Sequence, residues 1–200
     1  MSYCQIITFK DSIPDKRQEF KNSWGGTAFI WDVLFDKYLK KNQYDTWLGN
    51  AGKADSPLWS IAANPKLSLV ERAVHISTFD RAIVKQENLQ RIANDFRAFR
   101  KLFPNDGRIC HLNEWAGFIE LNLNVEAIGF YGTSVAENLW YIYPSEIEVN
   151  SDNKKIDAVV RTLGNEEEEP IPYNIRTMSL HFEVYEYLKE LTEEEQDGKH

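Results

Sequence analysis

The sequence predicts a single α+β domain: a small mixed or antiparallel sheet flanked by several helices. Three observations point there. Its 200 residues are 42% apolar and 27% charged, the composition of one ordinary globular core. The 6 Trp, 9 Tyr and 11 Phe supply enough large side chains to fill that core. Strand-like and helix-like segments follow one another without regular alternation, which argues against a doubly wound sheet.

Taken in order, Tyr3 to Phe9 is rich in β-branched and aromatic residues and reads as a strand. Asp11-Ser12-Ile13-Pro14-Asp15 reads as a helix start, with proline tolerated in the first turn, and the helix is expected to reach Trp24. Gly25-Gly26 is expected to interrupt it. A second helix is expected from about Thr27 to Lys41, because Ile30, Leu34 and Tyr38 fall at helical spacing beside Trp31, Phe35 and Leu39. Residues 42–56 read as a polar loop whose ends Trp47 and Trp59 pin.

Ser68-Leu69-Val70-Glu71 matches a capping box, so a helix is expected from about Leu69 to Ser77. Leu89, Ile92, Phe96, Phe99 and Phe103 are spaced 3, 4, 3, 4, the period of one helical face. Pro104 and Asn105-Asp106-Gly107 end that helix. A short helix near Asn113 buries Trp115, Phe118 and Ile119. Val125 to Tyr131 is continuously apolar and reads as a strand buried on both faces in mid-sheet. Leu139 to Tyr143, Ile147 to Asn150 and Ala158 to Leu163 are weaker strand candidates. A last helix is expected from about Ser179 to Leu191.

Charge divides the chain. Residues 1–165 hold 20 acidic and 20 basic side chains, while residues 166–200 hold 11 acidic and 3 basic, so the net −8 sits in the last 35 residues. The expectation is a globular body over 1–165, and an acidic connector and C-terminal helix over 166–200 that belong to the same domain, with a frayed tail from about 192. A charge-balanced body argues against a general nucleic-acid binder and leaves room for a protein partner. The longest uncharged runs, such as Asn22–Trp31 and Ala127–Ala136, are about half of the roughly 20 residues that a membrane helix needs. Residues 1–11 lack the basic start and apolar middle of a signal peptide, and Cys4 and Cys110 are too few for a disulfide framework. A cytoplasmic protein with no membrane association is expected. Composition says nothing of oligomeric state.

Several groups could carry chemistry. His75, Ser77, Thr78, Asp80 and Arg81 gather a base, two hydroxyls, a carboxylate and a guanidinium at a helix exit, as active sites do. The same residues also serve helix ends, where polar side chains meet free carbonyls. Gly132-Thr133-Ser134 follows a strand and could cradle phosphate through backbone N–H groups, although it is not a Walker sequence. Cys110-His111 is read as a small buried hydrophobe beside a capping loop rather than a nucleophile and base, because adjacent extended residues face opposite ways. No His-Glu-x-x-His or Cys-x-x-Cys occurs, so neither metal nor cofactor is expected. Arg97, Arg100 and Lys101 share one helix face, which the acidic arm is expected to touch.

Two functional readings follow. The first is a non-catalytic interaction or inhibitor-type factor acting on an intracellular protein, through Trp47, Trp59, Arg97, Arg100 and Lys101. The alternative is a small enzyme on a phosphate-bearing or nucleotide-like ligand. It would use His75, Asp80 and Arg81 for catalysis, with Gly132, Thr133 and Ser134 binding the ligand.

Overall fold

The structure, a computed structural model, describes residues 3–20, 23–38, 61–79, 82–133, 141–142, 147–150, 155–159, 171–172 and 182–197. It has the predicted α+β architecture. Strand β1 spans Tyr3–Lys10 and β2 spans Ile13–Phe20. Helix α1 spans Ser23–Tyr38, α2 Leu69–Ile76, and β3 Ala82–Lys85. Helix α3 spans Leu89–Leu102, α4 Leu112–Glu120, and β4 Ala127–Thr133. Four short strands follow: β5 Tyr141–Ile142, β6 Ile147–Asn150, β7 Lys155–Val159 and β8 Ile171–Pro172. Strand β9, Phe182–Glu183, leads into helix α5, Val184–Asp197.

The main sheet has the order β2-β1-β4-β3-β9. Its first four strands are antiparallel neighbours, and β9 joins β3 in parallel through two residue pairs. Two small antiparallel pairs, β5 with β8 and β6 with β7, stand apart from it.

Side chains alternate across the sheet. Ile6, Ala82, Val84, Ile128 and Phe130 join one core cluster with Ile30, Leu34, Ile76, Phe96, Trp115 and Val184 from the five helices. Ile7, Phe9, Ile83 and Ala127 lie on the opposite face, also buried. Strand β4 therefore has the two-faced burial and central position that its apolar run predicts. Burying each large side chain contributes about 1.5–3 kcal/mol, and Phe96, Phe99 and Trp115 are at most 1% exposed.

The segment after β1 departs from expectation. It is a hairpin, not a helix. Asp11 and Ser12 adopt φ of 51° and 70°, the left-handed pair of a tight hairpin turn, normally filled by Asn-Gly or Asp-Gly. Without glycine the turn is hidden in the sequence. Pro14 lies beside an irregularity in the β1–β2 register, between Thr8 and Phe9. It sits in an outer strand, where a missing N–H is tolerated. Helix α1 runs unbroken through Gly25 and Gly26. Glycine costs a helix only about 1 kcal/mol per residue relative to alanine, and burial of Ile30, Trp31, Val33, Leu34 and Phe35 outweighs that.

The capping box is present as predicted: Glu71 N–H donates to Ser68 Oγ, and Ser68 N–H donates to the Glu71 carboxylate. The periodic helix is α3, preceded by a 3-10 turn at Gln86–Asn88. Strand β3, four residues long, went unpredicted. The last helix begins and ends later than expected, reaching Asp197. Among the described residues, no helix is long and apolar enough to cross a membrane.

Candidate functional site

Of the catalytic candidate segment 75–81, the described residues 75–79 are built into the core. His75 is 0% exposed. Its ring lies between Trp31, at 5.2 Å between centroids, and Phe79, at 5.0 Å in an edge-to-face arrangement. The Ser77 hydroxyl donates to the Val74 carbonyl, and the Thr78 hydroxyl donates to the His75 carbonyl. Trp31 Nε1–H donates to Thr78 Oγ1. Both hydroxyls thus satisfy the free carbonyls of the α2 C-terminus, and the imidazole fills aromatic space. A buried imidazole packed between rings has no face open to a substrate. Asp80 and Arg81 lie outside the described residues.

The expected phosphate turn is extended where it is described. Gly132 and Thr133 belong to β4 and stand opposite Cys4 and Tyr3 of β1. Ser134 lies outside the described residues, as do Trp47, Trp59 and His181.

The basic face of α3 is committed internally. Arg97 forms a two-point ion pair with Glu120, Nε to Oε1 at 3.1 Å and Nη2 to Oε2 at 2.6 Å. Arg100 Nη1 donates to the Phe103 carbonyl at 2.6 Å, closing the helix end. Lys101 is exposed. Beside this face, Arg108 joins Asp106 to Asp36 and ties α1 to the α3–α4 connection.

The described start of the C-terminal helix docks away from Arg97, Arg100 and Lys101; Glu166–Glu169 of the acidic arm lie outside the described residues. The Glu183 carboxylate accepts from the N–H groups of Tyr185 and Glu186, capping α5, and also from Asn88 Nδ2. Tyr185 donates to Asp95 Oδ2 at 2.7 Å, and the Arg91 guanidinium lies 4.0 Å from its ring centroid. Burial, with Asp95 next, raises the Tyr185 phenol well above its ordinary range. Lys85 pairs with Glu186. The described part of the arm therefore meets the start of α3, not Arg97, Arg100 and Lys101. Positive charge alone does not select the docking site, because Arg97 already has Glu120.

Two arrangements went beyond the sequence signals, the first of them adding Lys37 and Tyr38 to the predicted capping box. Glu71 is 2% exposed and accepts from Lys37 Nζ at 2.7 Å, Tyr38 Oη at 2.8 Å and Ser68 N at 2.9 Å. Burial pushes its carboxyl upward, but those donors together outweigh burial and hold it below the ordinary range. The second is a cleft of about 780 Å3 at the hairpin end of the sheet. Ile83 and Ala127 line it together with Lys10, Asp11, Glu87, Asn124 and Glu126. Some of its charge is already used: Glu126 accepts from Ser12, and Lys85 from the same lining pairs with Glu186.

Cys110 is exposed, contrary to its reading as a buried hydrophobe. His111 packs edge-to-face on Trp115 at 4.9 Å. Among the described residues, no group of three or more His, Cys, Asp or Glu could hold a metal ion. No protein-family model matches the chain, and no curated protein or solved structure is significantly similar to it.

Proposed function

We propose that this protein is a non-catalytic interaction or inhibitor-type factor that acts on an intracellular protein partner. One observation carries the reading: the imidazole and hydroxyls of residues 75–79, the groups best suited to catalysis, are spent on packing and helix capping. That placement weighs against the alternative of a small enzyme on a phosphate-bearing ligand. The basic face supports the reading as well. Arg97 and Arg100 are held by Glu120 and the Phe103 carbonyl, and Lys101 beside them is exposed, so of the three it is the cation most open to a partner. Trp47 and Trp59 supply the aromatic anchors, since tryptophan is enriched among contacts whose loss costs about 2 kcal/mol or more.

Affinity purification from the native host, followed by mass spectrometry, tests this. A stoichiometric protein partner is expected. Trp47→Ala should abolish its capture and leave the thermal melt nearly unchanged. A large drop in melting temperature would make Trp47 a structural staple instead. Turnover of a phosphate-bearing compound that His75→Phe abolishes, with the fold retained, would establish the enzyme in its place.

A further inference from the structure

The cleft of about 780 Å3 at the hairpin end of the sheet carries charges that the fold leaves unused. Its deep part is apolar, formed by Ile83 and Ala127, which are 7% and 1% exposed. Lys10, Asp11 and Glu87 line the rim and are exposed. Among the described residues, none of these three side chains takes part in a hydrogen bond or an ion pair. The other charges of the cleft are engaged. Glu126 holds the turn through Ser12, and the Lys85 ammonium, within electrostatic reach of Glu87, pairs with Glu186.

The strand order sets where the unused charges stand. Ala127 of β4 pairs with Phe9 of β1 on one side and with Lys85 of β3 on the other. Lys10 and Asp11 directly follow Phe9 and form the β1 wall. Glu87, two residues past Lys85 in the 3-10 turn, forms the β3 wall. Neighbouring strands lie about 4.8 Å apart, which sets these walls about 10 Å from one another with Ala127 between them. A cation and a carboxylate thus share one wall, the floor is apolar, and a second carboxylate stands on the far wall.

That pattern is the complement of a free basic α-amino acid. Such a molecule carries a carboxylate and an ammonium on one carbon, then an apolar stem, then a second cation. The lysine side chain reaches about 6 Å from its α carbon to its ammonium. A charge-assisted hydrogen bond of about 2.8 Å at each end carries it from wall to wall. The cleft has the volume of small-molecule sites, roughly 300–1,000 Å3. With one unused cation against two unused carboxylates, its charge is opposite in sign to that of lysine or arginine.

We propose that this cleft binds a free basic α-amino acid, with Lys10 on the α-carboxylate, Asp11 on the α-ammonium, Ile83 and Ala127 under the stem, and Glu87 on the side-chain cation. The site is separate from the protein-partner surface and does not depend on it.

Isothermal titration calorimetry of the full chain with L-lysine and L-arginine tests the proposal. Saturable one-to-one binding of both is expected, with nuclear magnetic resonance shifts at the amides of Lys10, Glu87 and Ala127. Norleucine lacks the distal cation and cadaverine lacks the carboxylate, so each should bind at least about tenfold more weakly than lysine. Glu87→Gln should weaken lysine binding by a similar factor and leave norleucine unchanged. Lys10→Gln should weaken lysine and not cadaverine. Both side chains are exposed, so the melts of these variants should match the wild type. No saturable binding of lysine or arginine into the tens of millimolar overturns the proposal. So does cadaverine that binds as tightly as lysine, or a folded E87Q chain that binds lysine like the wild type.

Discussion

Ser12 and Glu126 stand 114 positions apart in the sequence and in direct contact in the fold: Ser12 N–H donates to Glu126 Oε2 at 2.7 Å, and the Ser12 hydroxyl donates to the same carboxylate. Ser12 is 1% exposed and left-handed, so the carboxylate both satisfies a buried N–H and fixes a turn that lacks glycine. Glu126→Ala should cost about 1–3 kcal/mol, the usual consequence of stranding a buried donor. Ser12→Gly keeps the N–H bond and relieves the left-handed backbone, so it should cost under about 1 kcal/mol. Urea unfolding of the two variants checks the order. Equal losses would show that the hydroxyl, not the N–H, is what Glu126 holds.

The Glu71 cluster predicts a pH response. Its carboxyl is lowered in the folded state, so its contribution is complete above the ordinary glutamate range, near pH 4.3. That contribution is lost as pH falls through the folded value. Glu71→Gln should cost about 2 kcal/mol at neutral pH, because Lys37 Nζ and Tyr38 Oη lose a charged acceptor. Unfolding free energy measured from pH 7 to pH 3 should fall more steeply in the wild type than in the variant. Parallel curves would show that Glu71 is not the titrating group.

Helix α3 separates packing from pairing. Phe96 is 0% exposed and meets Trp115 and Phe130 edge-to-face at 5.5 and 5.8 Å. Phe96→Ala should cost about 3–5 kcal/mol. Arg97 and Glu120 are 39% and 34% exposed, and water screens such pairs to about 0–1 kcal/mol. Arg97→Ala should therefore shift the melting temperature by a small fraction of the Phe96→Ala loss. Comparable shifts would place Arg97 in a larger network than its contact with Glu120.

The docking of α5 turns on Tyr185. Tyr185→Phe removes the bond to Asp95 and leaves a partly buried carboxylate without that donor, a loss of about 1–3 kcal/mol. Amide exchange across residues 184–197 should quicken, and nuclear magnetic resonance shifts should move at Arg91 and Asp95. Arg97, Arg100 and Lys101 should not move. Shifts at those three residues would restore the contact that charge bookkeeping suggested.

Local signals in the sequence were enough for several elements. The capping box placed α2 and the 3, 4, 3, 4 spacing placed α3, because helix phase is written within a few residues. The apolar run placed β4 in mid-sheet, because a strand buried on both faces cannot alternate. Other features were settled by distant partners. Asp11-Ser12 becomes a hairpin turn where Glu126 meets it, and Pro14 lies in an edge strand only because β2 is outermost. His75 looked catalytic beside two hydroxyls, and its surroundings were decided by Trp31, which reaches it from another helix. The described part of the arm meets Arg91 and Asp95, while Arg97 pairs with Glu120. Periodicity and caps are properties of neighbouring residues and survive in a sequence read alone. Burial of a polar group, and the partner that satisfies it, arise only when the chain brings remote segments together.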